Sequence, residues 1–109
     1  MYTSKSKDGY VPVADGVARK TLVFGEKTLM AEFILEKGKV LPQHSHPHEQ
    51  TGYLVSGKIV LYFQNEKYEV NPGDSWSIPG NAPHWAEIIE DSVAVEVFAP
   101  VREDFLPDR

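Results

Sequence analysis

The chain contains no cysteine, so neither a disulfide nor thiol chemistry contributes to its fold or function, and cysteine usage says nothing about its compartment. It has no apolar run approaching the roughly 20 residues that cross a bilayer. Its first residues, Met1-Tyr2-Thr3-Ser4-Lys5, lack the apolar stretch of a secretory signal. A cytoplasmic location with no membrane partner is expected. Base is not in excess: 11 Lys and Arg stand against 16 Asp and Glu, a net charge of −5. With no basic stripe either, the composition argues against a nucleic-acid partner. There is no internal repeat, no low-complexity segment and no helical apolar period longer than a turn or two. With 109 residues there is chain enough for one core and too little for two. A single domain over 1–109 is expected, with its core at about 17–100.

What the sequence does have is punctuation. Eight glycines and eight prolines are scattered between short β-branched and aromatic runs. Residues 1–16 read as an irregular lead-in. Strands are expected at Val17–Phe24, Thr28–Leu35, Thr51–Ser56, Lys58–Phe63, Tyr68–Val70 and Ser92–Ala99, with a short one through Trp76 and Ile78. Pro42 and Pro47 confine the segment from Val40 to Gln50 to an edge, bulge or loop. Short strands at this spacing, separated by Gly/Pro turns, predict an all-β barrel or sandwich.

Three of the four histidines fall within five residues, in His44-Ser45-His46-Pro47-His48-Glu49-Gln50, and the fourth is His84. On an extended segment His44 and His46 point to the same face, because side chains alternate across a strand. Both can reach one ion. Gln50 offers a carbonyl oxygen from the next strand and His84 a third nitrogen from a distant one, a donor set that suits a divalent transition metal. If Gln50 points inward, so does Gly52, whose missing side chain would leave room beside the ion. His84 and Ala86 would share that inward face, and Ala86 would keep it small. Gly52 and Ala86 are therefore expected in the wall of a substrate cavity.

The spacing Gly38-x5-His44-x-His46-x3-Gln50-x6-Gly57, followed by Gly73-x5-Pro79-x4-His84, resembles the two sequence motifs of the cupin superfamily across residues 28–100. The resemblance implies a single-domain jelly-roll β-barrel, with one divalent transition metal (Zn, Ni, Fe, Mn or Co) held by His44, His46, Gln50 and His84 in the barrel mouth. Two departures stand out. Gln50 takes the place usual for glutamate, which makes the protein ligand set neutral and the site a stronger attractor for an anionic substrate. Gly80-Asn81 reverses the usual order, and Ile88 replaces a common asparagine, without touching the ligand position.

The tail Pro100-Val101-Arg102-Glu103-Asp104-Phe105-Leu106, taken with the histidine block, resembles the pectin-degradation group of small cupins. That group opens 4,5-unsaturated uronic acids to linear keto acids. The resemblance implies a small anionic substrate, with Arg102 pairing with its carboxylate. It assigns Asp104 or His48 to proton transfer. An iron-dependent dioxygenase and a non-catalytic sugar-binding module are the alternatives. Small cupins also imply a homodimer, for which Tyr53, Val55 and Trp85 are outward candidates.

Overall fold

Short β-branched and aromatic runs become strands in the computed structural model, which describes residues 1–107. The elements are β1 (Val11–Ala14), β2 (Val17–Phe24), β3 (Leu29–Leu35), β4 (Val40–His44), β5 (Glu49–Phe63), β6 (Glu66–Val70), β7 (Ser75–Ile78) and β8 (His84–Ala99). A 3-10 turn follows at Glu103–Phe105. Among the described residues no helix is long and apolar enough to cross a membrane.

β3 shows the underlying rule: Leu29, Ala31, Phe33 and Leu35 are buried while Met30, Glu32 and Ile34 face outward. On β5 the inward residues are Gln50, Gly52 and Leu54, and on β8 they include His84, Ala86, Ile88, Ala94 and Phe98. The strands are antiparallel, in the order β1-β2-β3-β8-β5-β6, with β4 on β8 and β7 on β5. The two long strands carry the architecture. The first half of β8 pairs with β4 and its second half with β3. β5 pairs with β7 along its first half and with β6 along its second. Each long strand therefore has different partners along its two halves, so one continuous eight-stranded sheet folds over itself as a jelly roll.

Besides the start of β8, which lies at His84 where the strand was expected only from Ser92, two segments differ from the sequence expectation. The segment around Gly57 is a bend within β5 rather than a break between strands, and the ladder to β8 shifts register from Leu54 to Ile59. Gly57 has φ +91°, and a Cβ there would lie 2.1 Å from Ser92 Oγ and 2.4 Å from Asp91 O. The Ser92 hydroxyl accepts from Lys58 N (3.0 Å) and donates to Glu90 O (2.7 Å), which pins the bend. The second difference is β1, where an irregular lead-in was expected. Asp15-Gly16 supplies the tight turn to β2, with Ala14 opposite Val17, and that dipeptide is a strong hairpin signal. Pro12 is tolerated because β1 is an edge strand.

Gly73 has a similar φ of +94° but open space around it. Gly73→Ala is expected to cost about 1 kcal/mol from backbone strain alone. Gly57→Ala adds the collision with Ser92 and should cost about 2 kcal/mol more. Urea unfolding of the two variants measures the difference.

Candidate metal centre

β4 ends on His44 and β8 begins on His84, and these two residues are register partners. His46 lies in the short loop between β4 and β5. That loop is held by Asn81 N, which donates to His46 O at 2.7 Å. One nitrogen from each of His44, His46 and His84 lies within 4.8 Å of the others. Strand pairing thus brings together residues 40 positions apart.

Each ring is oriented from behind. Nδ1 of His44 bonds Pro42 O (2.9 Å), Nδ1 of His46 bonds His48 O (3.0 Å), and Nδ1 of His84 bonds Ala82 O (2.8 Å). A carbonyl oxygen only accepts, so each Nδ1 carries a proton, and in the neutral ring Nε2 is the nitrogen that keeps the lone pair. Hydrogen bonds of this kind, made by the ring nitrogen away from the ion, orient metal-binding histidines. Burial depresses the pKa of His84 to about 4. It also lowers that of His46, with the charge of Arg102 acting in the same direction. Both rings are neutral at pH 7, as ligands must be.

His46 Nε2, His84 Nε2 and Gln50 Oε1 are buried with no hydrogen-bond partner. Such an atom costs about 1–3 kcal/mol unless something satisfies it. Two imidazole nitrogens and an amide oxygen left unsatisfied together, beside the half-buried ring of His44, fit a cation. The amide orientation is set by Glu96. Gln50 Nε2 donates to Glu96 Oε1 (2.7 Å), and Trp76 Nε1 donates to the same oxygen (3.0 Å). Burial raises the Glu96 pKa to about 6, against the opposing pull of these two bonds and Arg102.

A cavity of about 430 Å³ opens beside the cluster, with His44, Gln50, His84 and Ala86 in its wall. The tail contributes Arg102, Asp104 and Phe105 to its wall, and β2 contributes Arg19. Arg102 makes a two-point bond to Asp104, Nη2 to Oδ2 at 2.7 Å and Nε to Oδ1 at 3.2 Å. Burial alone would raise the Asp104 pKa, but the bond and charge of Arg102 outweigh it and hold the carboxyl below its usual range. The guanidinium carbons of Arg19 and Arg102 each lie 3.9 Å from the centre of the Phe105 ring. Burial lowers the Arg19 pKa; Asp104 opposes that and Arg102 adds to it.

Not every residue expected in the site faces the cavity. Gly52 points inward, but the space it leaves is filled by the Trp76 indole, whose atoms would lie 2.2–2.4 Å from an added Cβ. The indole, not Gly52, lines the cavity. The His48 ring is outside both the three-nitrogen cluster and the cavity wall; its contribution is the carbonyl that orients His46. Trp85 stacks on Tyr62 within the chain, with centroids 3.8 Å apart. Sequence reasoning missed Glu96, Trp76, Arg19 and Phe105. Glu96 carried a readable signal, a lone carboxylate at an inward position of Val93-Ala94-Val95-Glu96-Val97-Phe98.

The family model for the Cupin domain matches residues 31–100. The chain is 29% identical to the pectin degradation protein KdgF of Dickeya dadantii over 96 residues, 86% of this chain and 87% of that one. Its fold matches the structure of KdgF from Halomonas sp. with a TM-score of 0.90 and 28% identity, covering 97% of this chain and 98% of that one. An RmlC-like cupin from Shewanella frigidimarina matches with a TM-score of 0.85, covering 97% and 100%; at 24% identity this likeness concerns the fold alone.

Zn²⁺ or Ni²⁺ added to chelator-treated protein is expected to raise its unfolding temperature. The stabilisation should be about 2.7 kcal/mol when the free ion is 100 times its Kd. His84→Ala should remove the shift, and calorimetry checks both.

Proposed function

The chain belongs to the cupin domain family, and from the site it carries we propose that it is a cytoplasmic, metal-dependent enzyme that opens 4,5-unsaturated uronic acids to linear keto acids. The observation that carries this reading is the meeting of two features in one cavity. A neutral, unsatisfied donor set lies along one part of its wall, and a guanidinium paired to a carboxylate lies along another. A cavity of about 430 Å³ is within the range for small-molecule sites. Similarity to the two KdgF proteins along nearly the whole chain supports the same substrate class.

A divalent ion held by His44, His46, Gln50 and His84 would supply Lewis acidity to the substrate oxygens. The remaining work belongs to the chain. Arg102 offers the two-pronged geometry that matches a carboxylate, and in the empty cavity Asp104 occupies that fork. When the substrate carboxylate takes the fork, Asp104 loses the partner that depresses its pKa and becomes a better base. In ring opening the C1 hydroxyl gives its proton to Asp104, the C1–O5 bond breaks, C1 becomes an aldehyde and C5 an enolate. Asp104 then returns that proton to C4 and the C5–O5 bond becomes a ketone, so the step balances without oxidant or reductant. Phe98, Phe33 and Leu35 in the cavity wall limit water around the enolate.

The ultraviolet signal of 4,5-unsaturated galacturonate should fall faster with the protein than without it, and chelation should abolish the difference. Asp104→Asn should lower kcat by about 10²–10⁴-fold. Arg102→Ala should raise KM by about 30-fold or more, the scale of an unpaired charge. No acceleration by metal-loaded protein defeats the proposal. Oxygen uptake in that assay would favour a dioxygenase, and saturable binding without turnover a sugar-binding module.

We also propose a homodimer through the outer sheet face. Ile34 (38% exposed), Tyr53 (50%) and Val55 (49%) lie on that face, and strand register sets Ile34 beside Val93 and Tyr53 beside Val95. A large apolar face is a marker of association. Light scattering after chromatography should give twice the chain mass, and Tyr53→Glu should give a monomer. A monomeric unaltered protein refutes the dimer and leaves the uronate assay untouched.

A further inference from the structure

A glutamine amide has two nearly isosteric ends, and only its oxygen can serve a cation. Gln50 is therefore a useful donor only if something selects that end. The selection is made by Glu96, a carboxylate that can only accept, bonded to Gln50 Nε2 at 2.7 Å while Gln50 Oε1 is left buried and unsatisfied. We infer that Glu96 is a positioning residue that locks Gln50 with its oxygen toward the metal and lends the amide part of a carboxylate's charge. This rests on the reading of the histidines and Gln50 as a metal site, and not on the identity of the substrate.

Three strands build the device. Gly52 is the register partner of both Trp76 on β7 and Glu96 on β8. Having no side chain, it lets the Trp76 indole cross over β5, where any Cβ would collide with it. Trp76 Nε1 then donates to the oxygen that Gln50 already uses. Two converging donors keep the carboxylate from turning away, and they offset the cost of placing it among Ala94, Phe98 and the other inward residues of β8. The charge that a glutamate ligand would place on the ion sits instead one hydrogen bond behind it. A ligand set that is neutral by residue type is thus backed by a carboxylate, and the ion would not act with its full charge.

The test is the Zn²⁺ affinity of chelator-treated protein, measured by competition with a chromophoric chelator and needing no substrate. Glu96→Gln should weaken Zn²⁺ binding by about 10–100-fold, while the far-ultraviolet circular dichroism stays unchanged. The exchange Gln50→Glu with Glu96→Gln keeps one charge, and the bond between these two positions can re-form with its direction reversed, while the Trp76 indole, which can only donate, loses its acceptor. It should recover most of the lost affinity. Trp76→Phe should lose less than Glu96→Gln. Unchanged affinity in folded Glu96→Gln overturns the inference and leaves Glu96 as an anchor for the indole. An exchange variant no better than the single change also overturns it, and this holds even where a single variant fails to fold. No Zn²⁺ binding by the unaltered protein refutes the metal reading itself and the inference with it.

Discussion

Three backbone carbonyls, those of Pro42, His48 and Ala82, fix the histidine rings through their Nδ1 protons, and the rest of the site depends on that constraint. A free imidazole can present either nitrogen. These cannot, because the acceptor behind each ring allows one tautomer and one orientation. Pro42 O lies within β4, His48 O in the loop before β5 and Ala82 O in the loop before β8, so all three acceptors sit at the ends of strands that carry the donor set. Burial does the rest, keeping His46 and His84 neutral.

The long strands β5 and β8 explain why the cluster can stay open to a ligand. Each carries polar inward residues, Gln50 on β5 and His84 and Glu96 on β8, and apolar ones such as Leu54 and Ile88 that fill the core. A uniformly packed barrel would leave no cavity. Here the bend at Gly57 and Ser92 lets one pair of strands take different partners along their two halves, and the small side chains of Ala86 and Ala94 line the resulting space.

The electrostatics are local rather than global. A chain of net charge −5 repels anions at long range, yet the cavity wall beside Phe105 holds two guanidiniums against one paired carboxylate. Phe105 binds the tail down by stacking with Arg19 and Arg102, while Thr21 donates to its carbonyl. The last described segment is therefore part of the cavity, not a loose end. The same guanidiniums that secure it are the groups able to receive an anion.

Much of this was legible in the residues. Alternation placed β3, because a period of two is a property of neighbouring side chains, and β-branched and aromatic content placed β2. The histidine block and His84 marked the donor set, since ligand type follows from residue chemistry. The tail pointed to Arg102 and Asp104. What the sequence could not decide depends on contacts between distant segments. That Gly57 is a bend rather than a stop follows from Ser92. The space beside Gly52 belongs to Trp76, and Trp85 is taken by Tyr62. Glu96 stands behind Gln50 only because β5 and β8 pair in one register. By itself the sequence determined which groups could bind and which strands could form, because those are properties of single residues and short periods. Only the tertiary structure decided which atoms are left unsatisfied and what fills each space, because both are set by strand register across tens of residues.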